Sequence, residues 1–173
     1  MTAPVFVDTN VFVYARQANE RLRQPLAAEW LEKLWDDQLG RTSFQVLSES
    51  YVTFTRKIRP ALRPAEAWEQ IRSLLTWNPQ PIDGELLLRA REIEQRYRLS
   101  WWDSMIVAAA QLQNCALLLT EDLEDRATYG GVTVRNPFNV GVSEAMATYT
   151  LAPATMPGHP RRGRPRRAPK LGK

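Results

Sequence analysis

Short apolar runs alternating with longer amphipathic stretches predict an α/β fold, with a central parallel sheet of four to five short strands and helices on both faces. Three observations lead there. Val5-Phe6-Val7, Leu117-Leu118-Leu119 and Val132-Thr133-Val134 are brief and apolar or β-branched, as strands covered on both faces are. The stretches between them repeat apolar residues three and four apart, the spacing of a helix face. Tight two-residue hairpin signals are missing between these units, which favours crossover connections.

The elements follow in order along the 173 residues. Val5-Phe6-Val7 runs into Asp8-Thr9-Asn10, a helix-start signal. Leu26, Ala27, Trp30, Leu31, Leu34 and Trp35 recur at helical spacing until Gly40. A brief strand is expected at Arg41–Ser43, then a helix whose stripe is Phe44, Leu47, Tyr51 and Phe54. Trp68, Ile71 and Leu75 mark another helix; Leu86, Ala90, Ile93 and Tyr97 mark a fourth. The strongest amphipathic pattern is Trp102, Met105, Ile106, Ala109 and Leu112, with Ser100 placed to cap it. Leu117–Leu119 reads as a buried strand, and Val132–Val134 as the last strand after a Gly130-Gly131 turn. Residues 1–140 form one domain on this reading, and residues 141–173 an extension. From Pro153 onward that extension holds five prolines, three glycines and many arginines, a composition expected to be disordered by itself.

Charge divides the chain the same way. The net charge of +4 arises from residues 161–173, which carry seven basic side chains and no acidic one, while the remaining 160 residues hold 16 basic and 19 acidic groups, a balance of −3. A polyanion-binding argument therefore applies to the tail, with Arg161, Arg162, Arg164, Arg166 and Arg167 as possible RNA contacts, and not to the body. The one cysteine, Cys115, leaves no intramolecular disulfide and fits a reducing compartment, so a cytoplasmic location is expected. No stretch reaches the roughly 18–20 apolar residues of a membrane span, and no signal peptide is evident at the N-terminus. The one histidine, His159, lies in the tail. A site in the body thus has no imidazole, which excludes a Ser-His-Asp triad, a Cys-His pair, His-ligated zinc and two-histidine RNA cleavage. Carboxylates, hydroxyls, Lys/Arg or a bound metal must supply any chemistry.

The carboxylates have a pattern. Ligands of open parallel sheets bind beyond the carboxyl ends of the strands. Asp8 ends the first apolar run, and Asp122 follows Leu117–Leu119 by three residues; if the two strands are parallel and central, both acids emerge at one sheet edge. Each acid also has a structural reading. Asp8 is a favoured helix cap. Ser100-Trp101-Trp102-Asp103 has capping-box spacing, and Asp122, in Thr-Glu-Asp-Leu-Glu-Asp, suits a turn. Glu49 lies opposite the Phe44–Phe54 stripe at about 100° per residue, a solvated position by the wheel alone.

Taken together, the motifs Val5-Phe6-Val7-Asp8-Thr9-Asn10-Val11, Phe44-Gln45-Val46-Leu47-Ser48-Glu49, Trp102-Asp103-Ser104-Met105-Ile106-Val107-Ala108-Ala109-Ala110, Leu118-Leu119-Thr120-Glu121-Asp122-Leu123 and Val134-Arg135-Asn136-Pro137-Phe138 resemble PIN-domain ribonucleases, most of all the VapC-type toxins of type II toxin–antitoxin pairs. The resemblance spans Val5 to Phe138 and implies a PIN-like three-layer sandwich. It implies Asp8, Glu49, Asp103 and Asp122 as catalytic and metal-binding acids, with Thr9, Asn10 and Thr120 supporting them, and leaves Glu121 and Asp125 open. It also implies a Mg²⁺ cofactor (Mn²⁺ as the alternative), RNA as substrate, a small antitoxin partner and a homodimer. Converging carboxylates repel one another, so either raised pKa values or a cation must relieve them. Of Trp30, Trp35, Trp68 and Trp77, some could form an antitoxin groove; core packing is the plainer expectation.

Rival readings belong to other classes. A haloacid-dehalogenase-type phosphatase would need an acid where Asn10 stands, and a receiver domain would need an acidic pair before its first helix and a late lysine. An RNA-binding PIN-like protein without turnover, or an RNA-processing nuclease outside a toxin pair, would carry the same acids.

Overall fold

The computed structural model describes residues 3–139 and 142. Five strands form one sheet in the order β2-β1-β3-β5-β4: β1 (Val5–Val7), β2 (Gly40–Arg41), β3 (Leu117–Leu119), β4 (Thr128–Tyr129) and β5 (Val132–Arg135). β1 pairs in parallel with β2 and with β3, and β3 with β5. All residues of β1 and β3 are buried. Successive strand residues point to opposite faces, so the centre of the sheet is covered on both sides.

Among the described residues six helices provide the cover: α1 (Thr9–Tyr14), α2 (Arg23–Asp36), α3 (Phe44–Arg56), α4 (Pro64–Leu74), α5 (Gly84–Tyr97) and α6 (Trp101–Leu112). Their starts are chemically marked. Asp8 accepts from the Thr9 N–H at α1, Ser43 from Val46 N–H at α3, Asp83 from Leu86 N–H at α5 and Ser100 from Asp103 N–H at α6, each meeting an amide that has no partner inside its helix. Pro64 opens α4, where a missing N–H costs nothing. Residues Ser104 to Ala110 of α6 are all buried, so this helix is enclosed rather than half-exposed, and the small side chains at 108–110 let its neighbours approach closely.

The structure departs from the sequence expectations at five places. β2 is Gly40–Arg41, slightly before the expected strand. Arg126 to Arg135 hold a hairpin: β4 pairs antiparallel with β5, joined by Gly130 and Gly131, whose φ values of 58° and 96° suit a tight two-residue turn. The sheet is therefore mostly, not wholly, parallel. The α4 stripe is rotated: Ala67, Ile71 and Leu74 are buried, whereas Trp68 and Leu75 are exposed. Trp102 is exposed as well. The stripe of α3 is likewise rotated, with Val46, Leu47, Ser50 and Phe54 buried and Phe44 exposed. Among the tryptophans considered for a partner groove, Trp30 and Trp77 are core, and Trp35 and Trp68 lie at the surface. The expected extension 141–173 lies outside the described residues except for Val142, which is buried against the core. No helix among the described residues is long and apolar enough to cross a membrane.

Candidate active site

The register Val7↔Leu119 sets the ends of β1 and β3 side by side. The chain then leaves both strands at the same edge, Asp8 on one and Thr120-Glu121-Asp122 on the other. The Asp8 N–H donates to Leu119 O at 3.1 Å, which extends the ladder one residue past β1. Proximity of Asp8 and Asp122 follows from parallel pairing, as the apolar runs implied.

Asp8 is the centre of the local network. Its Oδ1 accepts from the Thr9 N–H at 2.7 Å, and its Oδ2 accepts from the buried Thr120 hydroxyl at 2.8 Å. The Asn10 amide Nδ2 reaches Asp8 Oδ2 at 3.4 Å, Thr120 Oγ1 at 3.0 Å and Asp122 Oδ2 at 3.1 Å. Thr120 Oγ1 also accepts from the Asp122 N–H at 3.1 Å. The Asp8 carboxylate thus caps α1 and faces the cleft at once. Burial pushes its pKa up to about 6; the Thr120 and Thr9 hydrogen bonds oppose that rise, and the charges of Asp122 and Glu49 add to it.

Two helices bring the remaining acids to the same cleft, which has a volume of about 820 Å³. Glu49 on α3 accepts from Thr9 Oγ1 and from Gln45 Nε2, each at 3.0 Å. It lies away from the apolar face, as the wheel indicated, but that direction is the cleft and not bulk solvent alone. Asp103 in the first turn of α6 accepts from Ser100 Oγ at 2.6 Å, while its own N–H donates to that oxygen at 3.1 Å. The capping-box geometry is present, and the carboxylate still lines the cleft. All four acids named from the sequence face this one space, and Thr9, Asn10 and Thr120 bind them as supports.

The two open acids separate. Asp125 accepts from Arg135 Nε at 3.3 Å and Asn136 N–H at 2.8 Å, so it ties the loop to the end of β5. Glu121 lines the cleft and pairs with Arg23 at 3.6 Å. The Arg23 guanidinium lies over Tyr14 and near Phe138. Gln45, Ser100 and Arg23 were not singled out as site residues by the sequence. Gln45, four residues before Glu49 on one helix, was the most recoverable of them. Arg161, Arg162, Arg164, Arg166 and Arg167 lie outside the described residues.

The donor set fits a hard divalent cation. It consists of oxygen ligands, and Asn10 Oδ1 is buried beside Asp8 with no hydrogen-bond partner among the described residues. Among the described residues no three Asp, Glu, His or Cys side chains form a ready-made metal cage. Instead Asn10 and Thr9 stand between the acids as donors. Mg²⁺ and similar hard ions keep several waters and are commonly held by one or two carboxylates, a donor count that these acids meet.

The PIN-domain family model matches residues 5–129, and the chain belongs to the PIN domain family. A search of curated proteins found no significant match. Among the solved structures similar in fold are two from toxin systems by their descriptions. One is a toxin–antitoxin complex from Klebsiella pneumoniae, 24% identical with a TM-score of 0.57, covering 77% of this chain and 97% of that one. The other is Mycobacterium tuberculosis VapC20, described as a sarcin-ricin loop cleaving toxin, 23% identical with a TM-score of 0.53, covering 68% and 91% respectively. The expected α/β sandwich and PIN-domain class are borne out.

Proposed function

We propose that this protein is a Mg²⁺-dependent endoribonuclease, with Mn²⁺ as an alternative ion, and that it is the toxin of a toxin–antitoxin pair. The observation that carries the nuclease reading is the meeting of Asp8, Glu49, Asp103 and Asp122 in one cleft, from the ends of two strands and from two separate helices. These four acids would hold the ion. When bound, it would polarise the phosphodiester and lower the pKa of water at the site.

The chain's own residues set the conditions for this. Thr9 N–H and Thr120 Oγ1 fix the orientation of the Asp8 carboxylate. The Asn10 amide spans Asp8 and Asp122, placing a donor between two like charges. Thr9 Oγ1 and Gln45 fix both oxygens of Glu49. An acidic cleft repels phosphate until its charge is neutralised, so cation binding precedes substrate. With no imidazole in residues 1–158, proton transfer falls to carboxylates and water. In-line hydrolysis by this route leaves 5′-phosphate and 3′-hydroxyl ends.

The toxin role draws support from the two similar structures, both from toxin systems by their descriptions. A small antitoxin partner, a homodimer and a cytoplasmic location belong to the same proposal. One alternative carries the same acids: RNA binding without turnover. Labelled RNA incubated with the full chain in Mg²⁺, Mn²⁺ or EDTA separates these. Cutting that needs the ion and leaves 5′-phosphates supports the nuclease. Products ending in 2′,3′-cyclic phosphate overturn the hydrolytic route, and binding with no cutting in either ion supports the alternative. An RNA-processing role outside a toxin pair is tested by expression: growth arrest relieved by a neighbouring small open reading frame identifies a toxin.

A further inference from the structure

Trp102 is at odds with its helix. Residues Ser104 to Ala110 of α6 are buried, yet Trp102 is 62% exposed. Its ring is also not on an arbitrary surface, because it lines the cleft that holds the acids, next in sequence to Asp103. Val52, Ile106 and Val13 line the same cleft, giving this part of the wall an apolar surface. Lys57, just beyond the end of α3, is the one cation among the described residues that line it, and among these residues it forms no ion pair.

Resting on the ribonuclease reading, we infer that Trp102 and Lys57 form a subsite for single-stranded RNA, in which the indole stacks on an unpaired nucleobase beside the scissile bond and the ammonium contacts a flanking phosphate. A flat apolar ring and a separate positive charge match the two parts that every nucleotide presents. The acids repel the polyanion until a cation neutralises them, so an attractive group elsewhere on the cleft wall adds to substrate affinity. Stacking requires a base free of its helix, which makes the site selective for single strands or loops over duplex. It is tolerant of sequence, because every base offers a π face. A basic peptide would be drawn to the acids but repelled by Lys57, which favours the nucleic acid.

The test uses the full chain carrying Asp103→Asn at saturating Mn²⁺, so that the cation stays in place while cutting is suppressed, and a fluorescent single-stranded RNA oligonucleotide. Adding Trp102→Ala should weaken binding about tenfold or more, since one base–aromatic stack contributes roughly 1–3 kcal/mol. Trp102→Phe should stay within about threefold of the parent, while Trp102→Leu, apolar but not flat, should behave like Ala. Lys57→Ala should lower the slope of log affinity against log salt by about one. A duplex of the same sequence should bind more weakly and be indifferent to Trp102→Ala. Equal single-strand binding by the parent and its Trp102→Ala form overturns the inference. So does a Trp102→Ala protein that changes oligomeric state while binding RNA normally, which would assign the ring to contact between copies. Cleavage by the unsubstituted chain, assayed alongside, reports separately on the nuclease reading: cutting with a silent Trp102 removes only the subsite. Absence of both cutting and RNA binding removes both readings.

Discussion

The two walls of the cleft hold acids by different means. At the strand edge, Asp8 is buried and receives donors from Thr9, Asn10 and Thr120. On the helical wall, Glu49 is exposed and Asp103 half-exposed, each held by local side chains: Gln45 and Thr9 for Glu49, and Ser100 for Asp103. The strand wall is therefore part of the folded core as well as of the site, whereas the helical wall could be changed without disturbing the core. Chemistry and stability should be coupled at the first and separable at the second.

The largest expected effect is from Asp8→Asn, which should lower cleavage by about a thousandfold, the several kcal/mol that an ion's charge stabilisation supplies. Single-turnover rates on labelled RNA check it. Thr120→Val comes next. It removes a buried hydroxyl that donates to Asp8 and accepts from Asn10 and the Asp122 N–H, so it should cost about 1–3 kcal/mol in urea unfolding and about 10–100-fold in activity. Glu49→Gln and Asp103→Asn should break the pattern in the predicted direction, losing activity while their unfolding free energies stay within about 0.5 kcal/mol of the parent. A large stability loss at Asp103 would mean that its bond to Ser100 matters to the fold more than to the cleft.

Acidity sharpens the same contrast. The Asp8 pKa is raised by burial to about 6, so the folded state holds its proton more tightly than the unfolded chain does. That stabilisation is fully present below the unfolded value near 4 and is lost as pH rises through about 6. Asp8→Asn cannot ionise. Relative to the parent without divalent ions, it should therefore gain stability between pH 4 and 7, by about 3 kcal/mol at most for a shift of this size. Melting curves across that range read the difference, and a constant offset would contradict a buried, proton-holding Asp8. The smallest effect concerns the tail. Removing residues beyond Thr150 should make RNA affinity less sensitive to salt if the basic run grips phosphates; an unchanged slope excludes it from binding.

Much of the strand wall was legible in the sequence, because two short apolar runs followed by acids imply a shared sheet edge once the runs are parallel. The helical wall was less so. The wheel of α3 was centred on Phe44 and Tyr51, but Phe44 is exposed and the small polar Ser50 is fully buried, so hydropathy misplaced the face that matters. Trp68 and Trp102 misled in the same way, as bulky aromatic residues counted as core that the fold leaves outside. Resemblance to a family assigned Glu49; only the fold shows that its side of α3 opens on the cleft. The β4–β5 hairpin was hidden because its strand before the Gly130-Gly131 turn is only two residues long.

The cleft is proposed above as a cation site organised on Asp8. Calorimetric titration of Mn²⁺ into the full chain at pH 7.5, beside its Asp8→Asn and Asp103→Asn forms, tests it most directly. The expected result is saturable binding by the parent, abolished by Asp8→Asn and weakened by Asp103→Asn, with a melting temperature that rises with Mn²⁺ only where binding occurs. Equal Mn²⁺ binding by the parent and the Asp8→Asn form would contradict it.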